Sequence, residues 1–217
     1  GPRVVHLADL GRLDRRRRPP PWASRTFARQ FKTRHPERTP TVALFNDTFT
    51  NHHHPEIGMA GLDVIERLGY GARLAPNVCC GRPLISQGLL DAARRRAAEN
   101  ARRLHPLADR GESLVFFEPS CLSAIREDAP DLVAGDTRRR ALQVAARSRL
   151  FEEWLEEETA AGRARLAFRP GPSRLLLHGH CHQKAMGALP AAMALLGRIP
   201  GSAATRACST TPRSTSG

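Results

Sequence analysis

The chain has 217 residues, of which 41% are hydrophobic, enough for the core of one ordinary domain or two small ones. No apolar run approaches the roughly 18 residues of a membrane span and there is no signal-peptide pattern, so we expect a cytoplasmic location, or a peripheral one at the inner face of the membrane. The net charge of +13 would ordinarily suggest nucleic acid as a partner, but the aromatic content is only 5%, so side chains that could stack on bases are scarce. Of the 34 basic residues only Lys32 and Lys184 are lysines, which leaves 32 arginines, and this preference for arginine is typical of GC-rich codons. Composition therefore argues against nucleic-acid binding.

The first part of the chain combines a linker with two strands and a helix. Residues 1–40 carry a run of arginines followed by a run of prolines, which favours an extended basic connector with little packing of its own. Residues 41–46 form a continuous apolar run, which predicts a buried parallel strand. After a polar loop at residues 47–56, apolar side chains recur at near-helical spacing up to Gly69, where we expect the helix to end. A short second strand over residues 72–75 then leads to two adjacent cysteines.

The rest of the chain alternates between helices and two further strands, which predicts an α/β fold with a parallel sheet and flanking helices. Residues 201–217 are rich in Ser, Thr, Ala, Arg and Pro and show no strand or helix period, so we expect a disordered tail. The elements predicted between these parts are a helix over residues 87–108, a strand over 113–117, helices over 123–132 and 137–158, a fourth strand over 174–178, and a helix around 193–199.

The most unusual stretch is Cys79-Cys80-Gly81. Adjacent cysteines can hardly form a disulfide with each other, because consecutive Cα atoms are about 3.8 Å apart and a bridge requires roughly 5.5 Å. Two thiolates at one point of the backbone instead suggest a shared metal or cluster, which Gly81 would let the backbone approach closely. A helix is then expected to begin at Ser86 or Gln87. The alternative is a pair of small buried hydrophobic residues, since free cysteine is among the most buried residue types, and the dipeptide alone does not decide between the two.

The cysteines share a position relative to the strands. Cys79 and Cys80, then Cys121, and then Cys181 each follow a predicted strand, and loops beyond the carboxyl ends of parallel strands converge on one crevice. Without a secretion signal the chain fits a reducing compartment, where cysteines are more often ligands than disulfides. We therefore expect these four cysteines to lie on one edge of the sheet or sheets as metal ligands.

An internal repeat strengthens this expectation. The second unit of the repeat has Cys181 where the first has Thr48, so the chain reads as two versions of one strand-loop-helix unit, the second truncated. The aligned segments are residues 42–48 with 175–181 and, after a two-residue gap, residues 62–68 with 193–199.

These motifs resemble the cysteine-rich CCG domain of heterodisulfide reductase subunits, of the iron-sulfur subunits of glycolate oxidase and anaerobic glycerol-3-phosphate dehydrogenase, and of large FAD-linked D-lactate-type dehydrogenases. The C-terminal region of the last group is the most similar. The likeness covers roughly residues 40–200 and rests on residues 44–51, 79–86, 118–121 and 180–185.

The resemblance implies an iron-sulfur cluster, of the 4Fe-4S type, held by cysteines of each repeat. By position, Cys79, Cys80 and Cys121 match the first repeat and Cys181 opens the second, while Thr48 leaves the first repeat one thiolate short of the usual four. On this basis we divide the chain into a linker at 1–40, a first CCG repeat at 41–135, a connecting helix and loop at 136–172, the start of a second repeat at 173–200, and a tail at 201–217.

The function implied by the resemblance is electron transfer in an FAD-dependent 2-hydroxy-acid dehydrogenase, without catalytic residues in this chain. The second Cys-Cys-Gly, the FAD domain and the ferredoxin-like clusters are not in the sequence, so the implied partners are an FAD-binding dehydrogenase domain or subunit, a ferredoxin-like iron-sulfur domain and an electron acceptor. His180 and His182 flank Cys181 and are expected to donate hydrogen bonds to a cluster sulfur or a carboxylate rather than to bind iron.

Two alternatives remain open at this point. One is a cysteine-rich chain that folds but binds nothing. The other is a zinc-binding module, since both histidine nitrogen and cysteine sulfur suit zinc. Its candidate ligands are His178, His180, Cys181 or His182 together with Cys79 and Cys80.

The tail suggests a reading-frame shift. When the residues from about Ala207 onward are written in GC-rich codons, another reading frame of the same nucleotides encodes a segment in which apolar and polar residues alternate more like a native strand. In that frame the missing Cys-Cys-Gly would follow just beyond residue 217. We therefore expect residues 207–217 not to be the native sequence of the repeat.

Overall fold

The computed structural model describes residues 20–34 and 39–207, and its centre is a sheet of four parallel strands. Their order in space is β2-β1-β3-β4, with Leu44 at the end of β1 opposite Leu74 of β2 and Val115 of β3. The predicted α/β class with a parallel sheet is therefore confirmed. The strands are β1 Pro40–Leu44, β2 Gly71–Leu74, β3 Ser113–Phe116 and β4 Ser148–Leu150.

Helices pack on both faces of this sheet, and a turn of π-helix, Ala124–Asp128, joins α6 to α7. None of the helices in the described part of the chain is long and apolar enough to cross a membrane. The helices are α1 Phe27–Phe31, α2 Thr48–His52, α3 Pro55–Arg67, α4 Arg82–Ser86, α5 Leu90–Asp109, α6 Pro119–Ser123, α7 Ala129–Leu132, α8 Gly135–Arg147, α9 Phe151–Ala160, α10 Cys181–Ala185 and α11 Leu189–Gly197.

Side chains of the central strands alternate between two cores. Ala43 and Phe116 point into the site-side core, which also contains residues of α5, α6 and α8. Leu44 and Val115 point into the distal core, which contains residues of α1, α3 and α9. Within the site-side core the rings of Phe45 and Phe116 stack with centroids 4.5 Å apart. Because both faces are buried, the strands need continuous apolar runs, and this is the pattern that predicted them.

A second, two-stranded sheet repeats part of the first. β5 Arg174–Leu177 pairs in parallel with β6 Ala203–Arg206, so that β5-α10-α11-β6 follows the same order as β1-α2-α3-β2. The short helices α2 and α10 have five residues each and begin at Thr48 and Cys181, the two positions that the sequence repeat aligned. The expectation that the pattern ends at residue 201 was wrong for β6, and residues 208–217, with most of the proposed frame-shifted segment, lie outside the described residues.

The strand β4 was not predicted, whereas the strand predicted over residues 174–178 is confirmed as β5 of the second sheet. β4 is the fourth strand of the main sheet, and it divides the predicted helix over residues 137–158 into α8 and α9. Ser148 ends α8 in an extended conformation, and its hydroxyl donates to the carbonyl of Val144 at 2.9 Å. Leu150 then packs into the site-side core. With only three residues, β4 is too short to show a strand period.

The starts of α2, α3, α4 and α5 also differ from the expectation. The predicted polar loop at residues 47–56 contains α2 and the first two residues of α3. The helix α2 forms there because the Asp47 side chain accepts a hydrogen bond from Thr50 N and so caps it. After the adjacent cysteines, α4 begins at Arg82, immediately after Gly81, and not at residue 86 or 87. The helix predicted from residue 87 begins at Leu90, which is exposed.

Candidate functional site

A cleft of about 140 Å³ lies at the carboxyl ends of β1, β2 and β3. The chain passes from β1 to β2 on one side of the sheet and then to β3 on the other side of β1. Ligands of open α/β sheets bind at such a switch point, outside the carboxyl ends of the strands. The lining residues are Phe45, Asn46, Asp47, Thr48, Asn51, His52, Asn77, Val78, Cys79, Cys80 and Cys121.

Three of the four predicted cysteine ligands meet in this cleft. Cys79 and Cys80 arrive on the loop after β2, and Cys121 lies in α6 after β3. Cys80 and Cys121 are buried, whereas Cys79 is exposed. The expectation that cysteines after different strands converge on one edge is therefore confirmed for these three.

The three thiols contact one another in series. A hydrogen bond with Cys80 and burial raise the pKa of the Cys79 thiol above its ordinary value. A hydrogen bond with Cys121 and burial raise the pKa of the Cys80 thiol to about 12. Without a bound cation both groups are therefore neutral thiols at pH 7. Binding of a metal to them would release protons, because the thiolate is the ligand form.

The loop that carries the cysteines is held by two buried or half-buried asparagines that the sequence analysis missed. The Asn100 side chain in α5 accepts from Val78 N at 3.0 Å and donates to Cys79 O at 3.0 Å. The Asn77 side chain accepts from Asn46 N at 2.9 Å and donates to Asn46 O at 3.1 Å, which ties this loop to the end of β1. A signal for Asn100 was present in the sequence, since it interrupts the apolar stripe of α5 between alanines and Leu104.

We expect Asn100→Ala to lower the free energy of unfolding of the whole chain by about 1–3 kcal/mol, because it leaves the Val78 N–H and the Cys79 carbonyl without their partner. Urea denaturation measures this change. Arg95→Ala, an exposed position on the same helix, is the control and should change stability by less than about 0.5 kcal/mol. Equal losses for the two variants would show that Asn100 does not hold the loop.

Gly81 and Arg82 shape the other side of the cysteine loop. Gly81 has φ +90°, a left-handed conformation that favours glycine, and an added Cβ would meet only the Arg96 Cβ at 3.6 Å. The turn, and not a close approach by another group, therefore explains this glycine. Arg82 donates to Ser123 Oγ at 3.0 Å and forms an ion pair with Asp128. These contacts join the Cys-Cys-Gly segment to the helical segment that contains Cys121.

Cys181 and its neighbouring histidines lie beside this cleft rather than in it. Cys181 is exposed at the start of α10, and α10 packs against α6, the helix that contains Cys121. His180 caps α10 by accepting from His182 N at 3.2 Å, and the two rings stack with centroids 5.6 Å apart. Of the residues that the structure describes, the cleft lining includes neither histidine nor Cys181, so the roles predicted for them stay predictions.

The described residues do not form a site for a single metal ion. Across 20–34 and 39–207 no group of three or more His, Cys, Asp or Glu side chains is arranged to hold one ion. A polynuclear cluster makes a different demand, because its cysteine ligands bind different irons and need not converge on one point. The three thiols of the cleft match the chemistry of such a ligand set.

No protein family model matches the chain, and no solved structure shows significant similarity to it. The chain is 29% identical over 206 residues to a subunit of anaerobic glycerol-3-phosphate dehydrogenase of Escherichia coli K12, an alignment that covers 91% of this chain and 50% of that protein. It is 31% identical over 153 residues to D-2-hydroxyglutarate dehydrogenase of Pseudomonas putida, with 68% of this chain and 14% of that protein covered. The chain thus spans half of the first relative's length and a small part of the second. Its similarity is to parts of dehydrogenase proteins.

Proposed function

We propose that this chain is an electron-transfer module that holds an iron-sulfur cluster for a flavin-linked 2-hydroxy-acid dehydrogenase of the D-lactate or glycolate type. The observation that carries the proposal is the cleft at the carboxyl ends of β1, β2 and β3, where three cysteine thiols from the loop after β2 and from α6 meet. The similarity to parts of two dehydrogenase proteins supports an oxidoreductase setting. An FAD-binding domain or subunit, a ferredoxin-like iron-sulfur domain and an electron acceptor belong to the proposal as partners.

The residues of the cleft fit a cluster by their chemistry. Cysteine sulfur is the usual ligand of iron-sulfur clusters, and Cys79, Cys80 and Cys121 offer three such ligands at one place. We assign Cys181 to the start of the second repeat, whose short helix α10 lies against α6. A bound cluster of this kind accepts and releases one electron at a time.

The protein's own part is to position the thiols and to limit their contact with water. Cys80 and Cys121 are 7% and 8% exposed, so most of the surface around their sulfurs is protein. Asn100 and Asn77 fix the backbone on either side of Val78 through side-chain hydrogen bonds. A fixed and partly dry ligand set limits rearrangement during electron transfer, and burial and hydrogen bonds to sulfur set the potential.

Anaerobic reconstitution of the whole chain with ferrous iron and sulfide tests the proposal. We expect a brown protein with iron and sulfide in equal amounts and the electron paramagnetic resonance signal of a reduced cluster. Addition of zinc alone under the same conditions serves as the comparison. A colourless chain that excludes iron and sulfide but holds stoichiometric zinc would contradict the proposal in favour of the zinc module.

The structure gives the zinc module less support than the sequence did. Its ligand set needed His178, His180, Cys181 or His182 near Cys79 and Cys80. Within the described residues, none of those four lines the cleft that contains Cys79 and Cys80. His180 is also engaged in capping α10.

A further inference from the structure

The first repeat lacks a cysteine at its opening position, and the structure shows what stands there instead. Thr48 begins α2 and lines the cleft, but it is exposed and carries only a neutral hydroxyl. The residue before it, Asp47, lines the same cleft and is only 3% exposed. An acidic side chain therefore lies buried beside the three thiols.

The two oxygens of Asp47 are in different situations. Oδ1 accepts a hydrogen bond from Thr50 N at 2.8 Å and so caps α2. Oδ2 is buried and has no hydrogen-bond partner among the described residues. A buried carboxylate oxygen without a partner is costly, so such atoms usually mark a bound ion or water or a functional role.

Among the described residues that line the cleft, none is Lys or Arg, and His52 is the one side chain that can carry a positive charge. Burial raises the pKa of Asp47 in spite of the hydrogen bonds from Thr50, and the negative charge of Glu118 raises it further. Apart from His52, the described lining of the cleft therefore offers no cation to an ionised Asp47.

We infer that Asp47 Oδ2 supplies an oxygen ligand to one iron of the cluster, completing the set of Cys79, Cys80 and Cys121 in the absence of a cysteine at Thr48; this inference rests on the proposed function. Carboxylates bind ferrous iron in other protein sites, so the ligand type is compatible with the metal. A bound iron would satisfy the unpaired oxygen and balance the buried charge at once.

Asn46 provides a matched control within the same cleft. Its side-chain Oδ1 is also buried without a partner among the described residues, but it is a neutral amide oxygen. Its bonds with Asn77 use only the Asn46 backbone, so Asn46→Ala should leave them in place. The pair of positions separates the effect of the carboxylate from the effect of any polar group at this end of β1.

The experiment is reconstitution of the whole chain with ⁵⁷Fe and sulfide, followed by iron analysis and Mössbauer spectroscopy. We expect the wild type to show one iron with the higher isomer shift of oxygen ligation.

Asp47→Asn keeps an N-cap side chain, so α2 should still form, as circular dichroism can verify. This variant should lose the distinct iron and fall from about four to about three irons per chain, whereas Asn46→Ala should match the wild type. Asp47→Cys should retain about four irons, with the distinct signal replaced by that of an all-thiolate cluster.

Four results would overturn the inference. The first is an Asp47→Asn variant with the iron content and spectrum of the wild type, and the second is loss of the distinct iron in Asn46→Ala instead. If Asp47→Asn does not fold, Asp47→Cys is the deciding variant. The third result is a Mössbauer spectrum of Asp47→Cys that is unchanged from that of the wild type, which would show that Asp47 is not a ligand. All of these leave the proposed function standing. The fourth result, a wild-type chain that takes up no iron and sulfide, overturns the proposed function and this inference with it.

Discussion

Cys80→Ser is expected to abolish most of the iron binding of the reconstituted chain. Cys80 is the middle member of the three thiols, in contact with both Cys79 and Cys121, and only 7% of its surface is exposed. A serine hydroxyl gives up its proton far less readily than a thiol and is a poor replacement for a thiolate ligand. Replacing a residue that only hydrogen-bonds to a metal ligand already lowers the affinity for the metal about 10–100-fold, so loss of a direct ligand should lower it at least as much.

Cys208→Ser is the matched control for this prediction. Cys208 lies outside every motif of the repeat and outside the described residues, so its replacement should leave iron and sulfide content unchanged. Iron and sulfide analysis of both variants after identical anaerobic reconstitution provides the measurement. Equal iron content in the two proteins would mean that the cleft does not hold the cluster.

Much of the site could be predicted because parallel sheets impose a simple rule. Strands buried on both faces need continuous apolar runs, as in β1 and β3, and their carboxyl ends lie along one edge. A cysteine that follows such a run is therefore placed near other cysteines that follow other runs. This reasoning brought Cys80 and Cys121 together from positions 41 residues apart in the sequence.

The rule fails where a strand is too short or too exposed to leave a pattern. β4 has three residues, Ser148 to Leu150, and one of them is an arginine, so the segment reads as part of a helix. β6 is mostly exposed, and only its backbone pairing with β5 makes it a strand. In both cases the conformation depends on the strand with which the segment forms hydrogen bonds. Because that strand is distant in the chain, a short stretch of sequence does not predict the pairing.

The interrupted apolar stripe marks Asn100 as unusual, but neither its hydrogen-bond partners in the loop nor the unpaired oxygen of Asp47 could be predicted, for a related reason. Both depend on which atoms face one another after folding, and neither has a sequence spacing of its own. The helix cap at Asp47 is different, because Asp is one of the residue types preferred at the N-cap and is visible in the sequence. Asp47 therefore offered a possible helix start within the polar loop.

Trp154→Ala is expected to have the largest effect on stability. Trp154 in α9 is 1% exposed and belongs to the distal core, with its ring 5.1 Å from that of Tyr70 in an edge-on arrangement. Truncation of such a residue removes a large buried surface and leaves a cavity, which costs about 3–5 kcal/mol of the free energy of unfolding. Urea denaturation of the whole chain, monitored by circular dichroism, measures the loss.

Trp22→Ala is the control, since the chain has only two tryptophans and Trp22 is 66% exposed. Its replacement should change the free energy of unfolding by less than about 0.5 kcal/mol. Because the distal core lies on the opposite face of the sheet from Cys80 and Cys121, Trp154→Ala should still bind iron under conditions in which it remains folded. Loss of iron binding by folded Trp154→Ala would show that the two faces of the sheet are coupled. Comparable losses of unfolding free energy in Trp154→Ala and Trp22→Ala would mean that α9 does not anchor the sheet.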